Sequence, residues 1–355
     1  MTTIKLGDVA TEVKSSNKGD KTGCKIVGLE HLTPSDVTLS AWSDDTNNSF
    51  TKEFSKGDVL FGRRRAYLKK AAVAPFDGIC SGDITVIRAK EGKVIPQLLP
   101  FIIQNDFLFD YAVEKSAGSL SPRVKWEHLK NFEIILPDME TQKQLADTLW
   151  SINQTKQAYL ALIKQTDELV KSQFIEMFAN EENAALLKDC ASIEKGKTIT
   201  RDEVVEGDVP VVAAGIEPSC YHNAANRDDN IITVSASGAN AGYVNYWETP
   251  IFASDCNTAL TLNPEKLDEV FLYQRLKVMQ DEIFMMQRGS GQPHVYAKDL
   301  ENIVVPIPNI SEQIQYSEFV RQSDKSKFEL QDAIDNLDAL SKKIIAENLM
   351  VAGKE

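Results

Sequence analysis

Gly118-Ser119-Leu120-Ser121-Pro122-Arg123-Val124 returns 171 residues later as Gly289-Ser290-Gly291-Gln292-Pro293-His294-Val295. Carried on without a gap, the same offset sets Leu129, Asn131 and Pro137 on Leu300, Asn302 and Pro308. The two windows share seven identities in twenty residues, where unrelated chains of average composition share about one. The openings of the modules match more weakly, Leu6, Asp8 and Ala10 falling on Leu187, Asp189 and Ala191 at an offset of 181. The second module is therefore about ten residues shorter in its middle. A duplicated chain suits a partner that also comes in two halves, and double-stranded DNA with two separated half-sites is the obvious one.

Between those landmarks each module reads as mixed α and β. In residues 1–138, strand-like runs lie at Lys25-Ile-Val-Gly-Leu29, Asp58-Val-Leu-Phe61, Ala71-Ala-Val-Ala74 and Ile84-Thr-Val-Ile-Arg88, separated by Gly, Asp and Asn turns. A helix is predicted from Ile95 to about Lys115, with Pro96 in its first turn. Residues 181–309 repeat the outline. Strands are predicted at Ile231-Ile-Thr-Val-Ser235 and Ala259-Leu-Thr-Leu262, and a helix from about Leu267 to Met286.

A long heptad segment follows each module, over 139–180 and 310–355. In the first, Leu145, Leu149, Ile152, Lys156, Tyr159, Ile163, Thr166, Val170, Gln173 and Met177 alternate spacings of four and three. Adding 171 gives Tyr316, Val320, Ser323, Lys327, Leu330, Ile334, Leu337, Ser341, Ile344 and Asn348. Both form a 3.5-residue seam uninterrupted by Pro or Gly, with Lys156 and Lys327 as polar members at equivalent positions. One such stripe alone reads as a helix packed on its own domain. Two at matching positions predict an antiparallel coiled coil with the modules at opposite ends. About 35 helical residues at 1.5 Å each reach roughly 50 Å, enough to separate two reading heads by about one DNA turn of 34–36 Å. The fold expected is α+β, two mixed target-reading domains related by an internal pseudo-twofold repeat and separated by two paired long helices.

The chain has 355 residues and a formal charge of −13. Residues 1–140 are neutral overall, 141–185 carry −2, 186–310 carry −8 and 311–355 carry −3. Bulk attraction to phosphate is thus absent, and DNA binding would need local basic patches or a basic partner. No apolar run approaches the ~18 residues of a membrane span, and the N-terminus has no apolar signal region. The five scattered cysteines contain no CxxC pair, which favours reduced thiols in a cytoplasmic protein.

Four pairs of segments together resemble the specificity subunit of type I restriction-modification systems. They are Gly57–Ala71 with Ala74–Ser81; Ser116–Lys125 with Leu129–Pro137; Ser235–Val244 with Ile251–Asp255; and Gly289–Tyr296 with Asp299–Pro308. Both long helices also begin with a glutamine-bearing stretch of the family type, Glu140-Thr-Gln-Lys-Gln144 and Ser311-Glu-Gln-Ile-Gln315. The resemblance spans essentially the whole chain. It implies a non-catalytic reader of split double-stranded DNA sites that docks two methyltransferase subunits, which restriction subunits can join. It implies no cofactor in this chain; S-adenosylmethionine, and ATP with Mg, belong to the partners. The acidic second module departs from what a DNA reader would ordinarily show.

With that resemblance, Arg63, Arg64 and Arg65, followed by Tyr67, Lys69 and Lys70, form the first candidate DNA contact. A guanidinium can bond guanine bidentately or clamp phosphate. Successive strand residues alternate faces, so three arginines act together only from a loop; the plain alternative is a solvated strand edge. Ser119, Ser121, Arg123 and Lys125, with Arg288, Ser290, Gln292, His294 and Tyr296, form the second candidate, or else a simple turn. In the second module Ser235, Ser237, Asn240 and Tyr243 sit on a stretch punctuated by Gly238 and Gly242. It lacks the Lys-Ser/Thr of a nucleotide-binding loop. Lys195 and Lys197 could touch phosphate or simply face water. His31, His128, His222 and His294 show no triad or metal spacing, and no base-methylating tetrad is present. A coiled-coil adaptor without base reading is the alternative function, and a stand-alone methyltransferase is the weaker enzyme reading.

Overall fold

The computed structural model describes residues 2–289 and 291–349, so Ser290 lies outside the described residues. The chain divides into two α+β units, residues 1–160 with 331–355, and residues 161–330. Each unit contains one module and part of both long helices.

In the first unit Thr2–Lys5 pairs antiparallel with Glu133–Leu136, which closes the module's ends together. A four-stranded antiparallel sheet runs Ala10–Glu12, Ile84–Ala89, Val59–Gly62, Ala71–Val73 in spatial order. Its inner strands are rich in β-branched and aromatic residues, and all of Val59–Gly62 is buried. A three-stranded sheet has Lys25–Val27 parallel to Gly78–Cys80, with Lys52–Phe54 antiparallel on the far side.

The second unit repeats this plan. Ala184–Leu186 pairs with Val304–Pro306. The four-stranded sheet runs Ala191–Lys195, Cys256–Thr261, Ile231–Ser235, Val244–Trp247. In the three-stranded sheet Val209–Val212 is parallel to Phe252–Ala253, but the third strand, Cys220–His222, pairs on the other side of Val209–Val212. The shortened middle of the module is where the two frames diverge.

The helix expected over 95–115 is two. After a turn at Pro96–Leu98, a short helix covers Leu99–Ile103 and a second covers Asp106–Glu114. Asn105 divides them, because its side chain accepts from the Phe107 N–H as an N-cap. The second predicted helix is likewise split at Met279, into Glu269–Val278 and Gln280–Met285.

A buried glutamine fastens each module to the start of its long helix. Gln142 Oε1 accepts from Ile95 N at 3.1 Å, while its Nε2 donates to Pro137 O at 2.9 Å. Gln313 does the same with Asp268 N and Pro308 O, both at 2.9 Å. Both side chains are buried, so loss of either would strand backbone groups without partners.

The long helices cover Met139–Phe178 and Ile310–Asn348. Leu149, Val170, Val320 and Ile334 of the predicted seam are buried. Leu145, Ile152, Tyr159, Ile163, Leu330, Leu337 and Ile344 are half-buried. Toward the C-terminal end of each helix the stripe shifts by one residue. Met177 is exposed while Phe174 and Phe178 are buried, and Ile345 and Leu349 are buried more deeply than Ile344 and Asn348. A straight helix of 3.6 residues per turn drifts from a 3.5-residue repeat in this way. The polar seam positions are paired. In the first unit Lys156 Nζ meets both oxygens of Asp338 at 2.8 and 2.9 Å. In the second, Lys327 Nζ meets Asp167 at 2.6 Å. Lys156 and Lys327 are 171 apart, as are Asp167 and Asp338, so one pair is the repeat of the other with the helices exchanged. Among the described residues no helix is long and apolar enough to cross a membrane.

Candidate nucleic-acid interface

The basic cluster and the glycine-punctuated stretch are the same hairpin loop in the two modules. In the first, Gly62 N donates to Lys70 O at 2.8 Å and Leu68 N to Arg65 O at 2.9 Å. Neighbouring segments are held by Arg65 N to Pro122 O at 2.8 Å, with Arg63 N to Asp83 O and Val124 N to Arg63 O at 3.0 Å. In the second, Ser235 N donates to Tyr243 O and Ala241 N to Gly238 O, both at 3.0 Å. Gly238 N meets Pro293 O at 2.9 Å, Ala236 N meets Asp255 O at 3.2 Å, and Val295 N meets Ala236 O at 3.0 Å. The five bonds correspond one to one, with an offset of 173 along the loop.

Backbone angles agree. Arg65 and Lys69 have φ of 55° and 51°, and their counterparts Gly238 and Gly242 have 76° and 90°. A left-handed backbone is easy for glycine and strained for arginine or lysine. The first module therefore places two cations where the second uses glycine, which puts the three arginines on a loop rather than along a strand.

The repeated Gly-Ser-x-x-Pro turn docks beside this loop in both units. Ala117 and Arg123 exchange two backbone bonds at 3.0 Å; Arg288 and His294 do so at 2.9 and 2.8 Å. Gly118 and Gly289 have φ of 115° and 100°. A Cβ on Gly289 would lie 2.8 Å from Gln292 O, which explains why glycine is kept there.

Side chains on the shared frame differ. In the first unit Asp83 joins Arg64 to Arg123. Arg123 Nε donates to Asp83 Oδ1 at 2.7 Å, and Arg64 Nη1 approaches Asp83 Oδ2 at 3.4 Å. Arg64 Nη2 also donates to Ser121 Oγ at 3.0 Å. The hydrogen bond from Arg123, aided by both positive charges, holds the Asp83 carboxyl below its ordinary range. The Asp83 side chain is 21% exposed and the Arg64 and Arg123 side chains are 38% and 42% exposed, so the acid is the more covered member of the cluster. Arg65, Tyr67, Ser119 and Lys125 are exposed. Lys69 pairs with Asp106, and Lys70 Nζ donates to Leu29 O at 2.8 Å, which ties both lysines into the module.

In the second unit Ser237 donates to Asp255, and Asn240 is half-buried on the loop. Ser235 is buried, its Oγ 3.5 Å from Gly215 O. Lys277 Nζ sits 4.3 Å from the centre of the Tyr243 ring. His294 stacks on Tyr296 at 5.8 Å and 16°, and Tyr296 is 53% exposed. Gln292 is exposed, while Arg288 is held by Asp299. Lys195 and Lys197 are exposed. Lys195 pairs in the sheet with Asn257, whose amide donates to Val295 O at 3.1 Å. Lys197 follows, with its N–H on Ala253 O.

Three residues of this surface are not among the candidates that the sequence singles out. Asp83 and Asp255 occupy the same place before the strands Ile84–Ala89 and Cys256–Thr261; a Ser-Gly-Asp against Ser-Asp difference of one residue hides the match. Leu120, 89% exposed, stands at the tip of the turn between Ser119 and Ser121, where the second module has Gly291. Among the described residues no group of three or more His, Cys, Asp or Glu side chains could hold a metal.

A family model described as the type I restriction modification DNA specificity domain matches residues 1–166 and again 184–339. The chain is 22% identical over 379 residues to a Methanocaldococcus jannaschii protein that carries the name of the MjaX type I specificity subunit, covering 94% of this chain and 88% of that one. It is 25% identical over 297 residues to the MjaIX specificity subunit of the same organism, covering 72% and 68%. The crystal structure of a type I S subunit from M. genitalium superposes with a TM-score of 0.62 at 16% identity, covering 98% of this chain and 96% of that one. At that identity the likeness concerns the fold.

Proposed function

We propose, from the premise that the chain belongs to the type I restriction-modification DNA specificity family, that it reads a bipartite double-stranded DNA sequence, one half with each module. Members of this family are the non-catalytic DNA-recognition subunits of their complexes. The observation that carries the proposal is the duplicated loop: five equivalent backbone hydrogen bonds in each unit support two different sets of side chains. A fixed frame with variable loop chemistry is what reading two different half-sites requires. Arg63, Arg64, Arg65 and Arg123 supply guanidinium forks for guanine or phosphate in the first half. Gln292, Asn240, His294 and Tyr296 supply amide, imidazole and phenol groups in the second. Base contacts come from these loops and not from one recognition helix.

The two long helices act as an antiparallel coiled coil that serves as spacer and as the platform for two methyltransferase subunits; restriction subunits join the same complex. S-adenosylmethionine and ATP with Mg belong to those partners. Lys156–Asp338 and Asp167–Lys327 join the helices, so a change of length must be made in both. Adding one heptad to each, after Leu160 and after Leu330, is expected to change the permitted distance between half-sites while leaving their sequences alone. An unchanged distance, with partner assembly verified, would refute the spacer role.

The decisive experiment is methylome sequencing of cells that express this chain with its methyltransferase partner. A split motif bearing methyladenine, absent without this chain, is expected. If assembly is confirmed and no motif appears, the adaptor reading takes its place.

A further inference from the structure

Asp83 and Asp255 are acidic groups inside surfaces that the preceding reading assigns to a polyanion, and this inference rests on that reading. The arginines around Asp83 are partly exposed, with the half-buried Lys52 ammonium behind them, and Asp255 has no ion-pair partner among the described residues. Asp83 lies at the junction of three segments. Its backbone carbonyl accepts from Arg63 N, its Oδ1 from Arg123 Nε, and its Oδ2 from Arg123 Nη2 at 3.3 Å and Arg64 Nη1 at 3.4 Å. Ser121 holds the other terminal nitrogen of Arg64. Two flexible side chains 59 positions apart are thereby set side by side in one orientation.

Asp255 repeats the arrangement with different cargo. Its carbonyl accepts from Ala236 N at 3.2 Å and its carboxylate accepts from Ser237 Oγ. Ser237 is the counterpart of Arg64, and it bridges to His294 as Arg64 bridges to Arg123. The acid is thus common to the two modules, while the side chains it holds differ.

We infer that Asp83 and Asp255 are the positioning residues of the two reading loops, each giving up non-specific attraction to DNA in return for discrimination between sequences. A carboxylate beside the DNA face repels phosphate and lowers affinity for any duplex. The same carboxylate orders its partners before DNA arrives, so less rotamer freedom is lost on docking to the right bases and a misplaced base is not rescued by reorientation.

The test uses the full chain assembled with its methyltransferase subunits and three duplexes. One carries the methylome-defined site, one has the first half scrambled, and one has both halves scrambled. For Asp83→Asn, affinity for the doubly scrambled duplex is expected to rise about threefold. The preference for the intact site over the first-half-scrambled duplex is expected to fall about tenfold. Asp83→Glu, which keeps the charge, restores part of that preference. Asp255→Asn is the independent variant if Asp83→Asn misfolds. It should leave the first-half preference alone and weaken preference for the second half, read on a duplex scrambled there. An equal loss of affinity for all duplexes, or an unchanged preference, overturns the inference and leaves these acids as ordinary structural groups. Failure of the unmodified complex to distinguish the duplexes would instead remove the DNA-reading function itself, and this inference with it.

Discussion

Five positive charges stand on the loop Gly62–Lys70, and the loop Ser235–Tyr243, held by the same hydrogen bonds, carries none. The frame tolerates either composition because its bonds are made by backbone groups, which every residue except proline can supply in full. What the first loop adds is strain: Arg65 and Lys69 occupy left-handed positions that glycine fills in the second. Lys69 is compensated there by its pair with Asp106, which leaves the exposed Arg65 as the position where function and not stability is expected to select the residue. On the proposed reading, the acidic second module would address its half-site through neutral donors and acceptors, with little help from phosphate attraction.

The largest test of this contrast removes the charge. Replacing Arg63, Arg64 and Arg65 together with Ala should cost at least roughly 10²-fold at the first half-site, since each good fork is worth about 1–3 kcal/mol. Recognition of the second half should persist. Equal damage to both halves, measured by methylation of half-site variants, would break the assignment.

A second set of substitutions exchanges the left-handed residues. Gly242→Lys should be poorly tolerated, at about 2–3 kcal/mol in urea unfolding, because a Cβ there lies 3.2 Å from Ile283 Cγ2 and 3.3 Å from Val295 Cγ2. Gly238→Arg has room, with Ala214 Cβ at 3.9 Å, and should cost only about 1–2 kcal/mol of backbone strain. It should also steepen the salt dependence of DNA binding by about one charge. Arg65→Gly should do the reverse on both counts.

Asp83 and Glu269 should also answer acid with opposite sign. Burial pushes the Glu269 carboxyl up to about 7. A raised carboxyl favours the fold below its ordinary value of 4.5 and loses that contribution as pH climbs through 7. Asp83 is lowered, so its contribution is present above its ordinary 3.8 and is lost as pH falls below it. Glu269→Gln should therefore gain on the parent chain between pH 5 and 8, by about 1–2 kcal/mol. A stability difference that does not move with pH would show that Glu269 is not carrying a raised proton affinity. The smallest effect is expected from Leu120→Ser, a few-fold loss at the first half-site only, from the apolar area withdrawn.

Much of the frame was legible in the chain. The Gly118 and Gly289 repeat stood out because positive φ, and for Gly289 a close carbonyl, leave glycine little competition. The glutamines at the helix starts and the apolar seam were visible for a similar reason, since burial restricts what can stand there. The equivalence of the two reading loops was not legible. Only Ala66 and Ala239 are identical across them, the offset has moved from 171 to 173, and lysine and arginine disguise positions that glycine would have advertised. Asn105 broke a predicted helix for a related reason: a capping side chain competes locally with an apolar pattern that continues past it.

The crossed lysine–aspartate pairs of the long helices have a consequence for errors in assembly. Slide one helix past the other by a single heptad, and Lys156, at 13% exposure, would lose Asp338, while Lys327 would lose Asp167 and keep only Asp324 of its own helix. A stripe of leucine and isoleucine alone would accept that slip with little complaint; an uncompensated, largely buried Lys156 ammonium would not. The pairs therefore work as a vernier, allowing the helices to close in one register and rejecting its neighbours.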